Sequence, residues 1–215
     1  MKVIAETIRN APGRAGILAE EKRYSTFDEE LITRDFFQDR KGGFFVDVGC
    51  AWPIIASNTY YLEAHLGWTG IGIDALQDYA AAWREKRPNS KFFTFLVTDR
   101  SGADGTFFKS PKSYLSSTSL DHASGMDYGD PMVPEKIEVP MITLDDLLDH
   151  EGIEKIDLLS MDVEGHETRV AKVFQKYFHD HGYERIERYA PFDLVNHYFQ
   201  PVRGAVPTGP SPSGS

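Results

Sequence analysis

The densest run of chemistry-bearing side chains is Asp162-Val163-Glu164-Gly165-His166-Glu167, which follows the apolar run Ile156-Asp157-Leu158-Leu159-Ser160-Met161. Alternate residues of an extended chain share a face, so Asp162 and Glu164 can point the same way. Two carboxylates and a histidine so grouped can take a proton from a hydroxyl or hold a divalent ion. The plainer alternatives are a helix cap at Glu167 and a solvated His166. Three more acids, Asp47, Asp74 and Asp99, each close a short apolar run. A carboxylate in the place of Asp74, at the end of the second run, can accept both hydroxyl protons of a ribose. Asp99 is a candidate for an adenine amino group, although acids are common after strands. His122 is a second candidate base, because imidazole titrates near neutrality. Its alternative is a bystander in a loop.

These residues need elements to position them. Phe44-Phe45-Val46-Asp47-Val48-Gly49 reads as a strand running into a glycine turn, and Ser57-Asn58-Thr59 opens a helix that Gly67 stops. A strand, a glycine turn and a helix start together cradle a small ligand, with free backbone N–H groups at the turn. The null alternative is an ordinary strand-to-helix connection. Gly49 stands alone, so this is not the three-glycine dinucleotide fingerprint. Thr69–Asp74 is a second strand, Leu76–Arg87 a helix stopped by Pro88, and Lys91–Thr98 a third strand. The alternation over 44–99 predicts a parallel sheet, with Asp47, Asp74 and Asp99 on the edge where open α/β folds bind ligands.

Elsewhere the pattern is plainer. Glu29 to Asp39 reads as a helix with Phe27, Leu31, Ile32 and Phe36 on one face. Residues 100–135 form a long polar stretch with a small strand at Thr106-Phe107-Phe108, and Tyr114–Tyr128 reads as a lid or a mobile surface loop. Lys136–Ile142 is extended. Thr143 caps a short helix that Gly152 ends. A helix from about Glu167 to Asp180 has Val170, Val173, Phe174, Tyr177 and Phe178 as its apolar face, and Tyr183–Ala190 with Leu194–Phe199 reads as an antiparallel hairpin. The expected division is an N-terminal extension over 1–24, one domain over 25–202 and a disordered tail over 203–215.

The chain has 215 residues, enough for one domain with a substantial core. Its net charge of −10 argues against nucleic-acid binding, which wants a basic face. No stretch has the length of a membrane span. The single cysteine, Cys50, excludes an internal disulfide or multi-cysteine zinc site, and the expected compartment is the reducing cytoplasm. Cys50 has no evident base beside it, so its expected contribution is its backbone N–H and small size.

Together, the Phe44–Cys50 stretch, Ser57-Asn58-Thr59, Gly72-Ile73-Asp74, Ile142-Thr143-Leu144-Asp145-Asp146 and the strand leading into Asp162–Glu167 resemble the FkbM family. The resemblance runs over about 25–200, and its most specific part is the cluster after Met161. It implies a Rossmann-like class I methyltransferase fold: a mostly parallel sheet flanked by helices, here with a C-terminal antiparallel hairpin. It also implies S-adenosylmethionine as cofactor and O-methylation of a small molecule or sugar. Carried over, Asp47, Gly49 and Cys50 hold the methionine end and Asp74 the ribose. Ala75 and Leu76 lie beside the adenine, and Asp99 lies at its rim. Asn58 and Thr59 meet the cofactor carboxylate. Asp162 and Glu164 line the transfer cleft, with Glu164, His166 and then His122 as candidate bases, or with a divalent cation on Asp162 and Glu164 in their place. Two departures stand out. Trp52-Pro53 replaces the usual small residue in the turn, and the sheet is expected to lack one central strand. That second departure keeps a catalytically degenerate cofactor-binding module as the rival reading, ahead of a nicotinamide-dependent oxidoreductase. The oligomeric state is left open.

Overall fold

The computed structural model describes residues 16–126, 129, 131–162, 182–193 and 196–202. The chain divides into two units, one of residues 16–165 and one of residues 166–215 with 1–15.

The larger unit is built on four parallel strands. These are β1 (Phe44–Val48), β2 (Thr69–Asp74), β3 (Ser90–Thr94) and β7 (Leu158–Met161), in the order β3-β2-β1-β7. β1 lies between two neighbours and is buried on both faces, which its nearly unbroken apolar sequence foretells. Val46, Val48, Ile71 and Ile73 pack on one face around Leu147 of helix α5 (Leu144–Glu151). Phe45 lies on the opposite face against Tyr61, Leu62 and Leu66 of α2 (Tyr60–Leu66) and against Trp68. Helix α1 (Glu29–Phe37) buries Leu31 and Ile32, and Phe37 meets Trp68 edge-on with ring centroids 4.9 Å apart. Phe27, expected on that helix face, precedes the helix and is exposed. Residues 23–24 are not detached from this unit, because the backbone N–H groups of Arg23 and Tyr24 both donate to the Glu30 carboxylate.

Glycines on β2 permit close packing on this second face, against a helix at one and against β1 at the other. A side chain at Gly72 would lie 2.6 Å from the Trp83 ring of α3 (Ala80–Lys86), and one at Gly70 would overlap the Phe45 carbonyl oxygen. Both α2 and α5 end on a left-handed glycine, Gly67 and Gly152, and Thr143 caps α5 by accepting from the Asp146 N–H.

The expected third strand over 91–98 is two strands. β3 stops at Thr94 because β2 ends at Asp74 and offers no further ladder; the Phe95 N–H takes the last carbonyl, that of Asp74, at 3.1 Å. The chain then crosses to a second sheet, where β4 (Leu96–Val97) runs parallel to β6 (Glu135–Ile142) and β5 (Asp104–Lys109) runs antiparallel to it. Among the described residues, much of the stretch over 100–135 is thus built into this second sheet. β5 pairs over six residues, Ser117 bridges back to Phe108, and the short helix α4 (Leu120–Ala123) follows. Phe107 is the buried residue of β5, and its neighbours in the strand are half-buried or exposed, so the strand's own sequence is only weakly apolar.

In the smaller unit, β8 (Tyr183–Arg185) and β9 (Phe199–Pro201) form the expected antiparallel hairpin with shorter strands. Buried Asp193 organises its connection, accepting from the Asn196 N–H and side-chain amide and from the Tyr198 hydroxyl. The expected helix over 167–180 lies outside the described residues. Among the described residues β7 is an edge of the four-stranded sheet, and the expectation of one central strand fewer concerns chain that is in part outside them.

Gly70→Ala should lower stability by about 1–3 kcal/mol, since the added methyl meets backbone that cannot rotate away. The urea midpoint reads this out, and an unchanged midpoint would show that the two strands can separate without cost.

Candidate functional site

Parallel pairing brings two of the predicted acids, Asp74 and Asp162, to one edge beside the Gly49 turn. Val48 pairs with Ile73 on one side and with Met161 on the other, so Gly49, Asp74 and Asp162 each follow a paired strand end at the same level. Gly49 donates to the Ile73 carbonyl at 2.8 Å, and Asp162 donates to the Val48 carbonyl at 2.9 Å. Gly49 has φ 75°, and a methyl group there would overlap the Asp162 carbonyl oxygen. Only glycine fits, on both counts.

Asp74 faces the turn. One of its oxygens accepts from the Ala51 N–H at 3.0 Å, and the other from the Leu76 N–H at 2.8 Å. Each oxygen therefore keeps a second lone pair, so the carboxylate can still accept two hydroxyl protons. Burial pushes its pKa up to about 6 against the two backbone donors, and the negative charges of Asp47 and Asp162 push in the same direction. Its folded value lies above that of the unfolded chain. The folded protein thus binds this proton more tightly, and stability falls as the pH rises from about 4 through about 6.

Asp47 is buried inside the sheet face, opposite Gly72. Its carboxylate accepts from the Thr59 hydroxyl at 2.7 Å and from Ser160. Burial raises its pKa, while Thr59, Arg87 and Ser160 pull it down. Asn58 reaches from the same helix start to the Ser160 hydroxyl at 3.3 Å, tying α2 to β7. Asp47 and Thr59 thus set the shape of the turn from inside it. Cys50 is buried with Ala75, Leu76 and Tyr79 in one apolar cluster, and burial pushes its thiol well up; its backbone N–H, expected to be free for a ligand, donates instead to the Ile73 carbonyl at 3.3 Å.

Two predicted residues lie apart from this edge. Asp99 follows β4 and is exposed at the end of the second sheet, because the chain leaves the first sheet at Phe95. His122 is buried in α4, which packs on β5 of that second sheet. Glu164 and His166 lie outside the described residues. Among the described residues no group of three or more His, Cys, Asp or Glu side chains is placed to hold a metal ion, and no helix is long and apolar enough to cross a membrane.

The methyltransferase FkbM domain model matches residues 45–183, from the first strand through the Asp162 strand end to the start of β8. The chain belongs to the FkbM methyltransferase family. Neither the curated proteins nor the solved structures contain a match to it. The family's turn in this chain is held by residues that its sequence pattern did not single out. Arg87, the last residue before Pro88, is fully buried and bonded to the Pro53 carbonyl and the Ser57 and Thr59 hydroxyls. Trp83 donates its indole N–H to the Ala51 carbonyl at 2.8 Å. An arginine at a helix end ordinarily reads as solvated, and nothing local distinguishes this one.

Gly49→Ala should lose more than about 2 kcal/mol, because it combines a left-handed backbone with an overlap against Asp162. Thermal unfolding would measure it, and a wild-type melting temperature would contradict this geometry.

Proposed function

We propose that this chain transfers the methyl group of S-adenosylmethionine to an oxygen of a small molecule or sugar. The observation that carries the reading is the pairing of a glycine turn at Gly49 with the twice-donated carboxylate of Asp74 at one sheet edge, in a chain of this family. The residues fit the cofactor chemically. Asp74 retains acceptor capacity for a vicinal diol, and its burial strengthens such bonds. Ala75 and Leu76, which the family resemblance puts beside the adenine, follow it packed in the apolar cluster with Tyr79 and Trp83. The bound cofactor supplies a methyl already activated on a sulfonium. What remains for the protein is to align the acceptor, exclude water and accept the hydroxyl proton.

Asp162 stands at the same edge and is suited to orient the acceptor. Glu164 or His166, just beyond it in the chain, is the choice for the base, while His122, the second candidate from the sequence, would serve only if its helix on the second sheet moved. A divalent ion on Asp162 and Glu164 is the other means of lowering the hydroxyl pKa. Asp99 would serve the adenine rim only if the 94–99 segment moved, since it follows the strand that joins the second sheet.

Isothermal titration with S-adenosylhomocysteine tests the reading. Binding that Asp74→Ala weakens by about 2–4 kcal/mol supports it, that being the worth of two hydrogen bonds to a charged group. Affinity should hold steady above about pH 7 and fall as the pH drops through about 6, where Asp74 takes up its proton. A profile flat from pH 5 to 8 would remove Asp74 from the ribose. Binding of a nicotinamide dinucleotide instead would replace the reading altogether, and cofactor binding with no turnover on any hydroxyl acceptor would leave a binding module.

A further inference from the structure

We propose that Arg87 is a positioning residue for the cofactor site, holding the whole connection from β1 to α2 in its ligand-ready shape. The inference rests on the cofactor reading above, and the test below separates the two.

The connection over residues 49–59 is tied at its two ends but strained between them. Ala51 and Ala56 both lie in the left-handed region, at φ 42° and 58°. A residue with a Cβ stays there only when its surroundings over-determine it. Between these two alanines the chain carries Trp52 and Ile55 out into solvent. Trp52 meets Tyr79 edge-on at 5.1 Å and Ser57 accepts from the Tyr60 N–H at 3.1 Å, so the two ends are tied and the stretch from Pro53 to Ala56 is what must be held from outside.

The guanidinium of Arg87 supplies what is missing. One nitrogen donates to the Pro53 carbonyl at 3.0 Å and to the Ser57 hydroxyl at 3.3 Å. A second donates to the Thr59 hydroxyl at 3.1 Å, and that hydroxyl donates onward to Asp47. The third binds the Glu63 carboxylate at 2.5 Å. Glu63 is itself fixed by the Asn89 N–H and the Ser90 hydroxyl. The Trp83 ring lies 4.4 Å from the guanidinium carbon, while its indole N–H holds Ala51. Four acceptors in different directions need a planar fork of donors, and a lysine ammonium presents only a point.

The arrangement links the two halves of the site. Ala51 is held on its carbonyl side by Trp83 and on its N–H side by Asp74. Loss of the Arg87 bonds frees the chain from Pro53 to Thr59, and with it the placement of the Ala51 N–H against the ribose acid. Arg87 and Thr59 are fully buried, so the side-chain contact expected between Thr59 and the cofactor carboxylate gives way to the bond from its hydroxyl to Asp47.

The experiment uses the full chain with Arg87→Lys, Thr59→Val and, as a control, Arg34→Lys. Arg34 is comparably buried, but its bonds run to Glu20 and Asp39. Two readouts are followed: affinity for S-adenosylhomocysteine, and the rate at which Cys50, the chain's one cysteine, reacts with a thiol reagent. Arg87→Lys and Thr59→Val should each weaken binding at least tenfold and speed the Cys50 reaction at least tenfold. Arg34→Lys should leave both within twofold. If Arg87→Lys does not fold, Thr59→Val decides, since it keeps the side-chain shape and removes no charge. Both readouts unchanged in Thr59→Val, or moved equally by Arg34→Lys, would overturn the proposal. A wild-type chain that binds no S-adenosylhomocysteine would sink the cofactor reading alone. The Cys50 rates would then still decide whether Arg87 holds the turn.

Discussion

A guanidinium with no access to water stands at the centre of the larger unit, and much of the site depends on how its charge is met. The Arg87 side chain is fully buried, and its Glu63 partner nearly so. Leaving either charge without the other inside a protein costs about 3–5 kcal/mol. The pair is therefore kept together, and its remaining donors must find oxygens. They find them on the connection between β1 and α2, at Pro53, Ser57 and Thr59. The demand of one buried cation for acceptors thus becomes the shape of a loop. Asp47 joins the same network through Thr59, which explains how an acid can sit inside a sheet face.

The second constraint is the level at which three parallel strands stop. Once β1 is paired on both sides, the chain at Gly49, Asp74 and Asp162 emerges at one edge. Burial above all, with the negative charges of Asp47 and Asp162 adding to it, lets Asp74 hold its proton up to about pH 6. The cost is offset by two backbone donors that keep its carboxylate oriented. The environment that makes Asp74 expensive also makes it a strong acceptor for a diol, because water competes poorly there. Buried Asp47 lies deeper and serves the architecture, whereas Asp74 lies at the rim.

Much of this was legible in the residues. The apolar run around Asp47, the glycines ending α2 and α5, and the alternation from 44 to 94 state their structure through local chemistry. The break at Phe95 did not show, because Lys91–Thr98 is one continuous β-forming run, and only the end of β2 decides where its pairing stops. The strand over 104–109 was half visible, since only Thr106-Phe107-Phe108 within it is β-forming and the rest of its pairing comes from β6. Asp99 looked equivalent to Asp47 and Asp74 by sequence position, yet the strand before it belongs to a different sheet.

The amino-acid order by itself determined the parallel sheet, the family and the acids at its strand ends, because period, glycine and strand-end chemistry act over a few neighbouring residues. Only the tertiary structure decided that Arg87, far along the chain from Thr59, would be the residue that shapes the turn. Which oxygens a buried charge finds depends on what folding brings around it, and no local pattern records that.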